Sequence, residues 1–409
     1  MKTLLTLSLF VLISLFFNSC LKDKKLEKYT YYVAEYALKS DVRANIKSGA
    51  AQNVLSPGKL YVHGSFIYLN EVNKGIHIID YSTPSSPKNV AFIPIPGNLD
   101  LAVKGNYLYA DEYTDLLTID VTNPLTAKLI DVKQNAFYSF YGYGVDSNHI
   151  IASWRQVDTM VKSDLPFVYP PIYYYDVPNA NSQTYASSSA TKSTISTGGS
   201  TSRFTVLNNR LYTVDNSSIH IYNIQNASNP SFVQTTSTNW GGIETIYPFE
   251  NNLFLGGSNG MYIFDVTDED NPIAKGTFGH VRTCDPVIAE QNKAYVTLRN
   301  GTACGGFTNE LDVLNIDDIG NPVLLKTYPF TNPRGLAKEG DLLFVCDGKA
   351  GLQILDAADA NNIKPIQSVL GFEANDVILN NGLAIVVATD GLYFINYRNV
   401  SHARIVGKL

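Results

Sequence analysis

The chain has 409 residues and a formal net charge of −6, from 31 Lys plus Arg against 37 Asp plus Glu, so it offers no broad basic footprint for nucleic acid. Hydrophobic residues make up 45% of it, ample for a core, while a mean hydropathy near zero argues against a multi-span membrane protein. Only 17% of residues are charged, whereas Tyr (26), Gly (29) and Phe (19) are plentiful, a mixture that favours strands and tight turns.

At the N-terminus, Lys2 supplies a positive start and residues 4–17 an apolar run interrupted by Thr6, Ser8 and Ser14. The run is short for a spanning helix, which needs roughly 20 residues, and fits the apolar region of a secretion signal. Phe17-Asn18-Ser19-Cys20 follows, then Leu21-Lys22-Asp23-Lys24-Lys25. This resembles a bacterial lipoprotein signal, in which a small residue precedes the Cys that is lipidated, although Phe17 and Asn18 depart from the usual pattern. The alternative is an ordinary cleaved signal with an incidental Cys. The expected organisation is a signal peptide over 1–19, a tether over 20–50 beginning at lipidated Cys20, and a body over 51–409. Such a chain attaches to a membrane through its N-terminal lipid and sits in the cell envelope, at the outer membrane, on its periplasmic or its surface side. Disulfides are permitted there.

From residue 51 the chain repeats itself. One repeat reads Gly64-Ser65-Phe66-Ile67-Tyr68-Leu69, then Gly75-Ile76-His77-Ile78-Ile79-Asp80, then Pro84 and Pro87. The large residue of the first run recurs as Tyr68, Tyr109, Ile151, Tyr212, Phe254, Tyr295, Phe344 and Ile385, in steps of 41, 42, 61, 42, 41, 49 and 41. The polar residue closing the second run recurs as Asp80, Asp120, Asp176, Asn223, Asp265, Asn315, Asp356 and Asn396. Apolar and polar positions alternate as half-buried strands require, and Gly-containing turns separate them. The second repeat predicts four strands, over 99–103, 107–111, 116–121 and 128–132.

A four-stranded repeat of about 40 residues is a propeller blade. One such sheet cannot bury both faces, and radial stacking lets each sheet cover the next. The predicted fold is therefore all-β, a single β-propeller of about eight four-stranded blades. Seven is the alternative, because the third repeat is irregular and ring closure has a spare strand available at 29–37. Insertions fall at 154–171, 179–202 and 299–309.

The repeat resembles the LVIVD-repeat proteins, whose Gly-Leu-x-Ile-x-Asp-Val strand precedes a Pro turn. Here it reads Gly351-Leu352-Gln353-Ile354-Leu355-Asp356-Ala357, Gly260-Met261-Tyr262-Ile263-Phe264-Asp265-Val266 and Gly75-Ile76-His77-Ile78-Ile79-Asp80-Tyr81. The resemblance implies a β-propeller on secreted or surface proteins of bacteria, with no catalytic residues to carry over.

Antiparallel order puts the turns between second and third strands, and the connections between blades, on one face, here called the upper face. Irregular segments gather there. They include 136–144 with Tyr138, Tyr141 and Tyr143, the insertion beginning at Trp154, the connection at Trp240, and the loop 299–309. Cys284 and Cys304 share that face and are expected to form a disulfide, worth about 3 kcal/mol by chain entropy. Cys346 follows an apolar run and reads as a buried thiol. Lys59, Asp100, Arg203, Glu244, Asp285, Arg334 and Asp376 lead the innermost strands and should ring the mouth of the central channel. The ring mixes signs, so no metal is expected, and no cofactor motif is present. His77 and His220 occupy equivalent strand positions in different blades and cannot share a metal. Asp158-Thr159-Met160 resembles a short O-glycosylation acceptor of some Gram-negative surface proteins.

These features predict a non-catalytic binding or scaffolding module that presents its upper face to an envelope protein or a glycan. The candidate binding residues are Tyr138, Tyr141, Tyr143, Trp154, Trp240, Glu244, Asp285 and Arg334. One alternative is a lyase or hydrolase at the channel mouth using Asp285, Arg334 and Glu244, since fold alone excludes no activity. Another is a docking plate in envelope assembly or export.

Overall fold

The alternating segments do form strands. The computed structural model describes residues 26–137, 148–162, 197–200, 202–280, 286–300 and 308–409. Seven sheets of consecutive antiparallel strands span 57–94, 101–133, 204–237, 243–279, 287–329, 336–369 and 374–408, numbered here as blades 1 to 7. The repeat predicted at 99–132 is blade 2, with strands Leu101–Lys104, Tyr107–Glu112, Asp115–Asp120 and Lys128–Lys133.

Burial falls from the axis outward. In blade 4 every residue of the second strand, Asn252–Gly257, is buried, whereas the fourth, Ile273–Gly279, is mostly exposed. In all seven blades the pairing of third and fourth strands slips by one residue at the same place, between the fourth and fifth positions of the motif or their equivalents: Ile78/Ile79, Thr118/Ile119, Ile221/Tyr222, Ile263/Phe264, Val313/Leu314, Ile354/Leu355 and Phe394/Ile395. Such a bulge raises the local twist, which a radial blade needs at its outer edge.

The first strands of successive blades contact one another in order, and Pro57–His63 of blade 1 also meets Leu383–Ala388 of blade 7. Tyr81 of blade 1 lies over Phe394 with ring centroids 6.2 Å apart, and its hydroxyl accepts from Asn380 Nδ2 at 2.7 Å. Leu60, Ile67 and Leu69 share one apolar cluster with Ile378, Ile385 and Phe394. The ring therefore closes by side-chain packing, with no strand exchanged between its first and last blades.

There are seven blades, the alternative count, and the third repeat supplies none among the described residues. Ile151 lies in a strand, His149–Lys162, that pairs with Leu26–Leu38 in a separate two-stranded sheet. The candidate closing strand at 29–37 is thus used there. The end of the predicted insertion 179–202, Thr197–Gly198, adds a fifth strand to the inner edge of blade 1, with Thr197 opposite Val62 and Gly198 opposite Tyr61.

The chain divides into two compact units, residues 1–35 with 153–177, and residues 36–152 with 178–409. In the first, Glu35 accepts from Ser153 Oγ (2.7 Å) and Arg155 Nε (2.9 Å). Hydrogen bonds from Lys28 and Thr30 hold Asp158 down to about 2, and Thr159 is exposed. In the second unit a short helix, α1 (Lys39–Ala44), leads into residues that strap blades 2 and 1. Arg43 pairs with buried Glu112 (2.7 Å) and buried Asp115, and Lys39 reaches Asp115 at 3.2 Å. Ser48 N donates to Ala127 O and Gly49 N to Phe92 O, while Ser56 N and Leu55 N donate to Glu71. Among the described residues no helix is long and apolar enough to cross a membrane.

Candidate functional site at the axial mouth

Each blade's first strand begins on the upper face, so the residues leading those strands converge on the axis. The structure brings Lys59, Asp100, Arg203, Glu244 and Asp376 into one electrostatic cluster. Burial lowers the Lys59 ammonium to about 8, against the stabilising charges of Asp100, Asp376 and Glu244. Burial lifts Asp100 to about 6, opposed by Lys59 and by backbone N–H donors from Arg203 and Leu101. Asp376 is 1% exposed, and burial pushes it well above the usual carboxylate range. Its Oδ1 accepts from Val377 N at 2.5 Å, while Oδ2 has no partner among the described residues.

Further carboxylates, not anticipated from sequence, pin the loops that enter the blades. Asp111 Oδ1 accepts from Asn98 Nδ2 (2.7 Å), Leu99 N (2.9 Å) and Asp100 N (2.9 Å), and burial still lifts Asp111 to about 7. Asn98 accepts in turn from Asn70 of blade 1 at 2.7 Å. Asp347 does the same for blade 6, taking Thr331 N at 3.0 Å and Asn332 N at 2.6 Å. The only sequence signal is an Asp at the end of a second strand, easily taken for a turn residue.

Arg334 precedes the first strand of blade 6, and each of its three guanidinium nitrogens is hydrogen-bonded. It bonds Glu373 Oε1 (2.6 Å), Asn332 Oδ1 (2.9 Å) and Asn375 Oδ1, joining blade 6 to the connection into blade 7. Buried Arg299 lies beside it, lowered to about 9 by burial and then by the Arg334 charge. The Cys346 thiol is fully buried and raised well above its ordinary value by burial. Trp240 is half-buried, stacked on Tyr262 at 4.4 Å and edge-on to Phe264 at 6.3 Å. Trp154 is half-buried in the unit described separately. Cys20, Tyr138, Tyr141, Tyr143, Cys284, Asp285 and Cys304 lie outside the described residues. Among the described residues no group of three or more His, Cys, Asp or Glu is placed to hold a metal ion. His77 and His220 each pair within their own blade, with Glu71 at 3.1 Å and Asp215 at 2.9 Å.

The recurring Asp or Asn of the motif is structural. Its side-chain oxygen accepts the N–H two residues on in every blade: Ser82 to Asp80, Thr122 to Asp120, Gln225 to Asn223, Thr267 to Asp265, Asp317 to Asn315, Ala358 to Asp356 and Arg398 to Asn396. Asp and Asn favour such turns. The LVIVD repeat family matches residues 49–91 and 98–130, which take in most of blades 1 and 2. The chain is a β-propeller in which two segments match the LVIVD repeat. The remaining five blades carry the same turn and the same bulge. No curated protein matches the chain. Among solved structures, a Lactobacillus plantarum protein is similar with a TM-score of 0.54 at 12% identity, over 86% of this chain and 96% of that one. The computationally designed protein Ika8 gives 0.52 at 8%, over 89% and 90%. A periplasmic gluconolactonase of Pseudomonas aeruginosa, PpgL, gives 0.51 at 12%, over 86% and 95%. At these identities the likeness shows the fold alone.

Proposed function

We propose that this propeller is a non-catalytic binding or scaffolding module of the bacterial envelope, anchored by lipid at Cys20 and presenting its upper face to a protein or glycan. One observation carries the reading: two of the charged groups at the mouth, Arg334 and Asp100, are committed to other protein groups. Arg334 is spent on Glu373, Asn332 and Asn375, and Asp100 faces Lys59 and the backbone of Arg203. A rigid, charge-paired rim suits recognition better than proton transfer, which needs a group free to gain and lose its proton. The hydrolase or lyase alternative, built on Glu244, Asp285 and Arg334, would require that clamp to open. The signal-like segment ending at Cys20 supports export and anchoring.

The test uses the full chain expressed in a bacterial host. Labelled palmitate should enter the wild type and not Cys20→Ser, which should leave the membrane fraction. Glycan arrays and captures from envelope extracts should give a specific partner. Palmitate labelling unaffected by Cys20→Ser, or no partner in either screen, contradicts the reading.

A further inference from the structure

We propose that the cleft between blades 2 and 3 is a binding site for a neutral oligosaccharide; this deepens the binding-module reading and rests on it. The cleft has a volume of about 1290 Å³, larger than the roughly 300–1,000 Å³ of typical small-molecule sites, and so has room for several linked units. One wall is the end of blade 2 and its outgoing chain, through Phe137. The other is the turn and outer strand of blade 3.

The walls are held rigid from behind. Tyr222 Oη of blade 3 donates to Ala136 O at 3.1 Å, and Phe137 N donates to Thr114 O. Phe137 packs on Phe204 (5.4 Å) and stands edge-on to His220 (6.0 Å). Asp215 takes the N–H groups of Ser217 (2.9 Å) and Ser218 (2.8 Å) on one oxygen and His220 Nε2 (2.9 Å) on the other. With the Nε2 proton directed at that carboxylate, Nδ1 accepts from the Thr235 hydroxyl at 2.9 Å. Both imidazole nitrogens are thereby used.

Among the described residues lining the cleft, the charged groups Asp215 and Lys133 are paired. Asp215 is bound as above, and Lys133 is held by Asp131 (3.0 Å) and Asn229 (2.6 Å). What remains for a ligand is uncharged. The side-chain amides of Gln134 and Asn135 and the Ser217 hydroxyl have no hydrogen-bond partner among the described residues, and Asn216 spends only its Oδ1, on Gly242 N at 2.9 Å. Phe232, which also lines the cleft, is 57% exposed and stands edge-on to Tyr222 at 5.7 Å. Amides and hydroxyls that both donate and accept, together with an exposed ring, match the hydroxyls and the C–H faces of a pyranose. A charged ligand would find no uncompensated counter-charge among the described lining residues.

The opening belongs to this place and not to the repeat. Blade 1 carries the equivalent histidine, His77, paired with Glu71 and contacting Asn89, and there it is fully buried under residues 52–56 of the N-terminal strap. In blade 3 the same position looks into the cleft.

The test is calorimetric titration of the full chain with maltohexaose, cellohexaose, xylohexaose and chitohexaose, and with hexagalacturonate as the charged control. At least one neutral hexasaccharide should bind at a single site, with an affinity little changed by added salt. Phe232→Ala, and Asn216→Asp, which keeps the acceptor for Gly242 N, should each weaken binding by about tenfold or more, with melting temperatures near wild type. Lys364→Ala, on the exposed outer strand of blade 6, should leave it unaltered. Absence of binding by every neutral hexasaccharide, or binding indifferent to both cleft substitutions, overturns the proposal. If that occurs while envelope capture still yields a partner, the wider reading stands and the cleft assignment alone falls.

Discussion

Asp111 shows how this propeller uses buried carboxyls. It organises the loop entering blade 2 by taking three hydrogen bonds, yet its burial lifts it to about 7. Asp100 is lifted to about 6, Glu112 to about 7, and Asp376 well above its ordinary value, in each case chiefly by burial. In the unfolded chain all four ionise near pH 4. Between about pH 4 and 7 the native state therefore holds more protons than the unfolded one, and stability falls as pH rises through that window. Below it the sign reverses. Glu71, Asp115 and Asp215 sit low because hydrogen bonds and neighbouring positive charge outweigh their burial, and that stabilisation is lost as they protonate. Calorimetry should find a melting temperature a few degrees higher near pH 5 than near pH 7.5. Asp111→Asn keeps an acceptor for the three donors and should flatten that slope. A melting temperature rising steadily from pH 5 to 7.5 would refute the assignment.

Strands and their connections show where sequence reading reaches its limit. Tyr107, Leu108 and Tyr109 alternate with their neighbours in a way only a strand satisfies, so blade 2 was legible to within two residues at every strand end. The Asp120 turn was visible as a recurring polar residue, though its bond to Thr122 N was not. Antiparallel order fixes which strand ends share a face, and the charges of Asp100, Arg203, Asp376 and Glu244 all act on Lys59. Pairing between distant segments was not legible. Nothing local in Thr197-Gly198 says that it will lie against Tyr61 and Val62, and nothing in Ile151 says that its partner comes from residues 26–38. The strap was likewise hidden, since Arg43 reads as a solvated tether residue until its partners are known. It faces Glu112 and Asp115, 0% and 1% exposed. Removing one side of such a buried pair strands the other, so Arg43→Ala should cost about 3 kcal/mol in urea unfolding. A loss under about 0.5 kcal/mol would mark the contact as a surface pair.

The whole molecule depends on closure. Seven sheets bury their faces only because blade 7 packs on blade 1 through Phe394, Tyr81 and Asn380, and that closed ring is what holds the mouth and the cleft in fixed geometry. A pair of strands outside such a ring has little to protect it, because two-stranded sheets are marginal in water. Hydrogen exchange of the full chain, followed peptide by peptide, tests this most directly. The account predicts seven sets of slowest amides, in the second strands at Phe66–Glu71, Tyr107–Glu112, Arg210–Val214, Asn252–Gly257, Lys293–Leu298, Leu342–Cys346 and Leu383–Ala388, with His149–Lys162 exchanging far sooner. An eighth set at 149–162 as slow as those seven, or blades 1 and 7 exchanging well before the other five, would contradict a closed seven-bladed ring.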